Sequence, residues 1–129
     1  TTFCLWPMLQ IMRELWAEGG IGPGRIAVME RAGPPKTAIL GRVNDRAAGV
    51  AFVAGHAGAA MLHALHVIPG QRRQGIAVKM MRATAFWALD HGLSELFVAV
   101  TEANAPARAL YASLGMSIVG KYHYRKGQA

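Results

Sequence analysis

Residues 67–77 read V-I-P-G-Q-R-R-Q-G-I-A, and this stretch decides how the rest of the chain is interpreted. Two glycines, Gly70 and Gly75, enclose a double arginine, after an apolar run and before a segment with helical spacing. A strand, a glycine-bounded turn and a helix start together form a common anion cradle, because the first N–H groups of a helix have no intrahelical acceptor. The G-x-x-x-x-G spacing is also that of a nucleotide-binding P-loop.

The P-loop interpretation fails at the two positions after the second glycine. A P-loop needs Lys followed by Ser or Thr there, to contact the phosphates and the magnesium ion. This chain has Ile76 and Ala77 instead, so it lacks the groups that nucleotide hydrolysis uses. What remains is a basic turn before a helix, either with a bound phosphate group or with no ligand.

Composition indicates one folded domain over residues 1–129 and a preference for anions. The chain is 53% hydrophobic and 16% charged, which is typical of a globular protein. Fourteen Lys and Arg against seven Asp and Glu give a formal charge of +7, which suits a phosphorylated cofactor, nucleic acid or an acidic membrane. The single cysteine, Cys4, excludes an internal disulfide and fits a reducing cytoplasm. Beside Leu5 and Trp6 it is a weak candidate nucleophile.

The sequence favours a cytoplasmic protein over a membrane or secreted one. Residues 47–70 have no formal charge and precede Arg72 and Arg73, as a membrane span might. Glycines and histidines interrupt this stretch, however, and it fits two strands joined at 55–58 better than a helix. We also expect no signal peptide, since no basic segment and cleavage site open the chain.

Hydrophobic periodicity and turn residues predict the element order ααβββαβαβ. The predicted helices are 6–18, 23–32, 75–91 and 105–114, and the predicted strands are 37–43, 48–55, 59–67, 95–101 and 117–125. Asn44 and Asp45 occupy the turn between the first two strands. In helix 75–91, Lys79, Arg82 and Asp90 leave only a narrow polar stripe, so we expect most of its surface to be buried. This order indicates an α+β or α/β fold with a mixed sheet.

A second stretch, residues 98–116, reads V-A-V-T-E-A-N-A-P-A-R-A-L-Y-A-S-L-G-M. Asn104 suits a helix N-cap, Pro106 the first turn, and Gly115 the position after the last turn. The combination of V-x-P-x-x-R-x-x-G-x-A, a long helix, a strand and N-x-x-A-x-x-L-Y-x-x-L-G-M resembles the GNAT superfamily of acetyltransferases. The resemblance covers about residues 59–120.

The resemblance implies an acetyl-coenzyme A-dependent N-acetyltransferase in which both stretches contact the cosubstrate. The diphosphate would bind a loop and helix start comprising Arg72, Arg73, Gln74, Gly75, Ile76 and Ala77. The backbone of Leu65, His66 and Val67, on a strand that splays from its neighbour in this family, would pair with the pantetheine arm. The Val67 amide would polarise the thioester. Asn104 would hydrogen-bond the pantetheine arm, and Tyr111 would protonate the departing thiolate.

Histidine replaces an acidic residue of the family at one position. Many members carry Glu on the third strand, six residues before the proline, as a base or to hold a water; this chain has His63 there. Histidine can accept a proton near neutral pH, so His63 is either a candidate base or an ordinary structural residue. The other histidines, His56, His91 and His123, show no metal-ligand spacing with one another or with Cys4, and we assign no metal.

The family usually has one strand before its first helix and another after the strand at 117–125, and we expect this chain to lack both. It would then borrow these strands from a partner, or be the C-terminal lobe of a longer or tandem protein. Exposed sheet edges usually have to be covered, and helix 75–91 has a wide apolar face. We therefore predict a homodimer or a partner lobe.

The implied acceptor is a primary amine of a small molecule or amino acid, attacking directly in a ternary complex. A basic chain favours a neutral or acidic acceptor over a polyamine. Two other functions stay open: a non-catalytic lobe that binds acyl-coenzyme A, and a nucleic-acid-binding module. The second would need a dense basic run or aromatics interleaved with cations, for which residues 122–126 are the only indication.

Overall fold

A mixed sheet of seven strands, with helices on both faces, organises the part of the chain that the structure describes. The computed structural model describes residues 2–68, 75–99, 117–120 and 123–127. Its elements are β1 (Thr2–Leu5), α1 (Gln10–Glu18), α2 (Pro23–Arg31), β2 (Lys36–Val43), β3 (Arg46–His56), β4 (Ala59–Val67), α3 (Ile76–Asp90), β5 (Glu95–Ala99), β6 (Ser117–Gly120) and β7 (His123–Gly127). The strand order is β1-β2-β3-β4-β5-β7-β6. Among the described strand pairs, β4–β5 alone is parallel.

Most predicted elements are confirmed within the described residues. The strand at 59–67 has the predicted bounds, and α3 is one residue shorter than predicted at each end. Asn44 and Asp45 form the predicted turn, and both have positive φ, as two-residue hairpin turns favour. The first predicted helix, 6–18, begins instead at Gln10, because Leu9 is an extended N-cap residue with ψ of 159°. The predicted helix 105–114 lies outside the described residues.

The expectation that the first and last family strands are missing is wrong. β1 precedes the first helix and pairs antiparallel with β2. The stretch 117–125, predicted as one strand, contributes to two, and β7 lies between β5 and β6. β1 was missed because four residues, T-F-C-L, are too few to show an alternation of polar and apolar side chains. Because these strands are present, the predicted homodimer is not needed to supply them.

Each face of the sheet carries its own core. On one face α3 packs through Ile76, Met80, Met81, Trp87 and Ala88. On the opposite face α1 and α2 pack through Met12, Leu15, Trp16, Ile26 and Met29. Central β3 serves both, because successive strand residues point to opposite faces: Val50 and Phe52 join the α1–α2 core, while Ala51 and Val53 join the α3 core.

Within the uncharged stretch 47–70, the described residues 47–67 form a hairpin, as predicted. It provides most of β3 and all of β4, joined by Ala57 and Gly58, both with positive φ. None of the helices in the described part of the chain has the length and apolarity needed to cross a membrane. The prediction for α3 is wrong in one respect, because Phe86 and Leu89 are 68% and 54% exposed.

Two paired glycines allow α3 to lie close to the sheet at its first turns. Gly41 of β2 and Gly49 of β3 are cross-strand neighbours. A Cβ on Gly41 would lie 2.8 Å from Ile76 Cδ1 and 3.0 Å from Met80 Sδ, and one on Gly49 would lie 2.9 Å from the same sulfur. The position of the start of α3 therefore depends on these two strands.

Gly41→Ala should lower the free energy of unfolding by about 1–3 kcal/mol, as expected for an overpacked core. Ile76 and Met80 are each 1% exposed, so neither can move away without disturbing its other contacts. Gly24→Ala is the matched control: a Cβ there meets no described atom within 4 Å, and alanine favours a helix by up to about 1 kcal/mol. Urea unfolding followed by tryptophan fluorescence compares the two variants, and equal stabilities would contradict the packing argument.

Candidate active site

The central feature of the candidate site is the place where the described pairing between two parallel strands, β4 and β5, ends. β4 and β5 pair in register as far as Leu62 and Val98. The described pairing stops there, although β4 continues to Val67 and β5 to Ala99. β5 is described only as far as Ala99, so residues 64–67 of β4 lie beyond its described part. We call this edge of β4, residues 63–67, the gap. The splay that the family resemblance implied for this strand stays a prediction.

A β-bulge lies where β4 leaves β5. Two residues of β4, Ala64 and Leu65, lie opposite the single residue Ala51 of β3. Ala64 has a φ of 58°, in the left-handed region. Residues held in such sparsely populated conformations cost roughly 1–3 kcal/mol each and persist where the surroundings hold them.

The indole of Trp16 provides one such restraint. Its Nε1–H donates a hydrogen bond of 2.8 Å to the carbonyl oxygen of Ala64, and the Trp16 side chain is 0% exposed. A buried carbonyl left without a donor costs roughly 1–3 kcal/mol, which is of the same order as the backbone strain at Ala64. The free energy of this hydrogen bond is therefore comparable to the strain of the bulge. The bond also attaches α1 to β4.

The bulge reverses the face to which the following side chains of β4 point. Before it, the His63 ring lies 5.7 Å from the Phe52 ring, in the α1–α2 layer. After it, the His66 ring lies against the end of α1, where a Cβ on Gly19 would be 2.6 Å from it. His63 and His66 thus share a face, whereas residues three apart in an uninterrupted strand lie on opposite faces.

Rings on the α1–α2 face form a row that ends at His63. The ring of Trp6 lies 5.7 Å from that of Phe52, which in turn contacts His63. The ammonium group of Lys36 lies 4.8 Å from the centre of the Trp6 ring, at the opposite end of the row. His63 is half-buried and is the first residue of β4 beyond the described pairing with β5. The candidate base therefore lies at the entrance to the gap.

The backbone after the bulge directs an amide toward the gap. The Ile68 N–H donates a hydrogen bond of 2.8 Å to the carbonyl oxygen of Ala48 on β3. Successive N–H groups of an extended strand point to opposite edges, so the Val67 N–H points toward β5. This direction agrees with the role that the resemblance implied for Val67, and the role itself stays a prediction.

The start of α3 has the properties of an anion site. Gly75 is its N-cap residue, with φ of 70° and ψ of 14°, a left-handed conformation that favours glycine. A Cβ there would meet no described atom within 4 Å. The first turn, residues 76–79, contains no acidic side chain. The positive end of the helix dipole is therefore not neutralised from within the helix, and a diphosphate fits this chemistry.

The structure brings together some of the predicted site residues. Ile76 and Val67 belong to one core cluster, and the half-buried Leu65 and Ala77 pack against it, so the helix start and the end of β4 are adjacent. The His66 side chain is directed to α1, and by the alternation along β4 its N–H points to β3. Other predicted site residues lie outside the described residues: Arg72, Arg73, Gln74, Asn104 and Tyr111.

Sequence analysis did not identify Trp16 or Ala64 as site residues. Trp16 has the spacing of an ordinary core position on α1, and the hydrogen bond that it donates spans 48 residues. Ala64 stands in an apolar run without the glycine that usually marks a left-handed residue. Local sequence patterns give no signal for such a contact.

Two other predicted features concern Cys4 and metal binding. Burial, and secondarily the negative charge of Asp90, raises the pKa of the Cys4 thiol. The neutral thiol is then favoured at neutral pH, which supports excluding Cys4 as a nucleophile. In the described residues, no group of three or more His, Cys, Asp and Glu side chains is placed to hold a metal ion.

The described fold, with the parallel pair β4–β5 connected through α3, matches that of acyl-coenzyme A N-acyltransferases. The sequence model of the Acetyltransferase (GNAT) family matches residues 7–116 of this chain. The chain belongs to this family. The family and the enzyme class predicted from the sequence, an acyltransferase, are thereby confirmed.

Three proteins named as acetyltransferases are similar to this chain. Streptothricin acetyltransferase of Streptomyces lavendulae is 38% identical over 56 residues, a match that spans 43% of this chain and 30% of that protein. The ribosomal-protein-S18-alanine N-acetyltransferase of Escherichia coli has a TM-score of 0.81 at 19% identity, over 100% of this chain and 94% of that one. A GNAT family acetyltransferase of Elizabethkingia anophelis, solved with acetyl-CoA bound, has a TM-score of 0.79 at 14% identity, over 93% and 77%. These two structures share the fold.

Proposed function

We propose that this chain transfers an acetyl group from acetyl-coenzyme A to the primary amine of a small molecule or amino acid, by direct attack in a ternary complex. The observation that carries the proposal is the gap beyond Leu62 and Val98, beside the start of α3. Membership of an acetyltransferase family supports the reaction class. Acetyl-coenzyme A, when bound, supplies the thioester carbonyl that the amine attacks.

The residues around the gap would divide the binding between them. The second half of β4 would pair with the pantetheine arm through the backbone of Leu65 and Val67. The N-terminus of α3 would bind the diphosphate, where a Cβ on Gly75 would meet no described atom within 4 Å. Arg72 and Arg73 would add positive charge to the same group.

The chemistry needs a neutral amine, a polarised carbonyl and a protonated leaving sulfur. The Val67 N–H would donate to the carbonyl oxygen as negative charge develops on it, which is a larger effect in the transition state than in the ground state. A tyrosine hydroxyl is ordinarily protonated at neutral pH, so Tyr111 would give its proton to the sulfur. His63, at the entrance to the gap, would take a proton from the attacking amine. Asn104 would hydrogen-bond the pantetheine arm.

The match to streptothricin acetyltransferase supports a small-molecule acceptor, and the formal charge of +7 favours one that is neutral or acidic. We also propose a cytoplasmic enzyme and retain the homodimer as a prediction. The remaining support for the homodimer is the surface of α3, where Phe86 and Leu89 are exposed to solvent.

A screen of amines with acetyl-coenzyme A, reading out free thiol with a colorimetric reagent, tests the proposal. We expect turnover with at least one small amine or amino acid. Tight binding of acetyl-coenzyme A without turnover on any amine would instead identify a non-catalytic lobe. Retention of RNA that weakens with salt, without binding of acetyl-coenzyme A, would identify a nucleic-acid-binding module.

Gly75→Glu should abolish measurable binding of acetyl-coenzyme A, because a carboxylate would stand where the diphosphate is proposed to bind. It should also cost about 1–2 kcal/mol of stability, since φ of 70° is left-handed. Gly75→Asn is the matched control, because asparagine is uncharged, tolerates this conformation and is a favoured N-cap. Titration calorimetry on both folded variants measures the affinity. Unchanged affinity in Gly75→Glu would remove the diphosphate assignment.

Tyr111→Phe should lower kcat by roughly 10²–10⁴-fold, the usual contribution of a positioned proton donor. The dissociation constant of acetyl-coenzyme A should stay nearly unchanged, because the lost interaction belongs to the transition state. Tyr122→Phe, at a tyrosine to which the proposal gives no role, serves as the control. Steady-state kinetics and calorimetry separate the two quantities. A kcat at the wild-type value would show that another group protonates the thiolate.

His63→Gln should remove one ionisation from the pH profile of kcat/KM, because glutamine cannot accept a proton. The loss relative to wild type should be largest near and below neutral pH, because at higher pH the amine loses its proton without help. His56→Gln, at the opposite end of the β3–β4 hairpin, is the matched control. A profile that keeps its shape in His63→Gln would make His63 a structural residue.

A further inference from the structure

We infer that Trp16 is a positioning residue, which sets the orientation of the Val67 amide through its hydrogen bond to the bulge of β4. The inference rests on the proposed function in one respect, that this amide donates to the thioester carbonyl. Trp16 itself would act through the backbone and not on the reacting atoms.

The first step is the contact itself. The indole Nε1–H of Trp16 donates a hydrogen bond of 2.8 Å to the carbonyl oxygen of Ala64. Both residues are buried in the α1–α2 core, so water competes poorly for this bond and the bond is stronger than its equivalent at a surface. The bond fixes the peptide plane between Ala64 and Leu65, which is the plane that the bulge rotates.

The second step is the effect of the bulge on the residues after it. The extra residue in β4 shifts the register by one, and a shift of one residue exchanges the two edges to which N–H groups point. Without the bulge, the Val67 N–H would point to β3 and the Ile68 N–H to the gap. The observed bond from Ile68 to Ala48 shows the bulged arrangement. The edge of β4 to which the Val67 N–H points is therefore set at Ala64.

The third step is the second contact between the same helix end and the same strand. The Trp16 carbonyl oxygen accepts a hydrogen bond of 2.8 Å from the Ile21 N–H, which closes the end of α1. Gly19, two residues before Ile21, lies against the His66 ring. The end of α1 thus contacts β4 on both sides of Leu65. A displacement of this helix end would move the bulge and, with it, the amide of Val67.

The experiment removes the hydrogen-bond donor of Trp16 while keeping the shape of its side chain. Trp16 is replaced by 3-benzothienylalanine, whose sulfur stands in place of the indole N–H, so the ring still packs but cannot donate. We expect kcat to fall roughly 10–100-fold, as for a misplaced transition-state donor. The acetyl-coenzyme A dissociation constant should change by a much smaller factor than kcat, because the pantetheine arm pairs with β4 but the diphosphate binds at α3, away from the bulge. Trp16→Phe, which also removes ring volume, should likewise lower kcat by a larger factor than it changes the dissociation constant.

Trp87 provides the matched control, because it is a buried tryptophan on the opposite face of the sheet, stacked on His91 at a ring distance of 4.4 Å. The same analogue at position 87 should leave kcat at the wild-type value. Amide hydrogen exchange in residues 63–68, measured without any ligand, should accelerate with the analogue at 16 and not with the analogue at 87.

Two outcomes would overturn the inference. One is a wild-type kcat with the analogue at position 16, even if Trp16→Phe is slow, since the effect would then come from lost packing. The other is unchanged hydrogen exchange in residues 63–68. If the wild-type chain transfers acetyl groups to no amine, the proposed function fails, and the exchange measurement still decides whether Trp16 holds the bulge.

Discussion

A buried carbonyl in a bulged strand needs a donor that the sheet cannot supply, and in this chain the donor is the indole of Trp16. Its bond to Ala64 connects the two halves of the architecture. The bulge turns His66 toward α1 and the Val67 amide toward the gap, while the same bond holds the last turn of α1 against β4. Trp16, which lies outside the sequence motifs of the family, thus helps to set the conformation of β4 beside those motifs.

The parts of the fold that follow from local rules could be predicted from the sequence. The strand at 59–67 and the helix α3 have strong periodicity, and the turn at Asn44 and Asp45 has residues that tolerate positive φ. β1 could not be predicted, because its four residues lack a pattern and its stability comes from pairing with β2. The split of 117–125 into β6 and β7 likewise depends on pairing with β5, which no local pattern encodes.

The candidate site was predictable in its chemistry and not in its geometry. The glycine spacing drew attention to Gly75, which is a left-handed N-cap where an added Cβ would meet no described atom within 4 Å. Simple alternation would place His63 and His66 on opposite faces of β4, and the bulge places them on one face instead. Predicting that reversal would require knowing that an indole from α1 reaches Ala64. Such a contact is a property of the assembled core.

The strand order has a consequence for how the protein is made. β1 to β4 are neighbours in both sequence and space, and each pairs antiparallel with the next, so this half can form from local contacts as soon as it leaves the ribosome. β5 joins only after the α3 crossover, and β7 reaches it from the far end of the chain. β5 therefore joins the sheet after β1 to β4 have been synthesised. A nascent chain exposes the edge of β4 until then, and acetyl-coenzyme A, by bridging that edge and α3, would favour completion of the sheet.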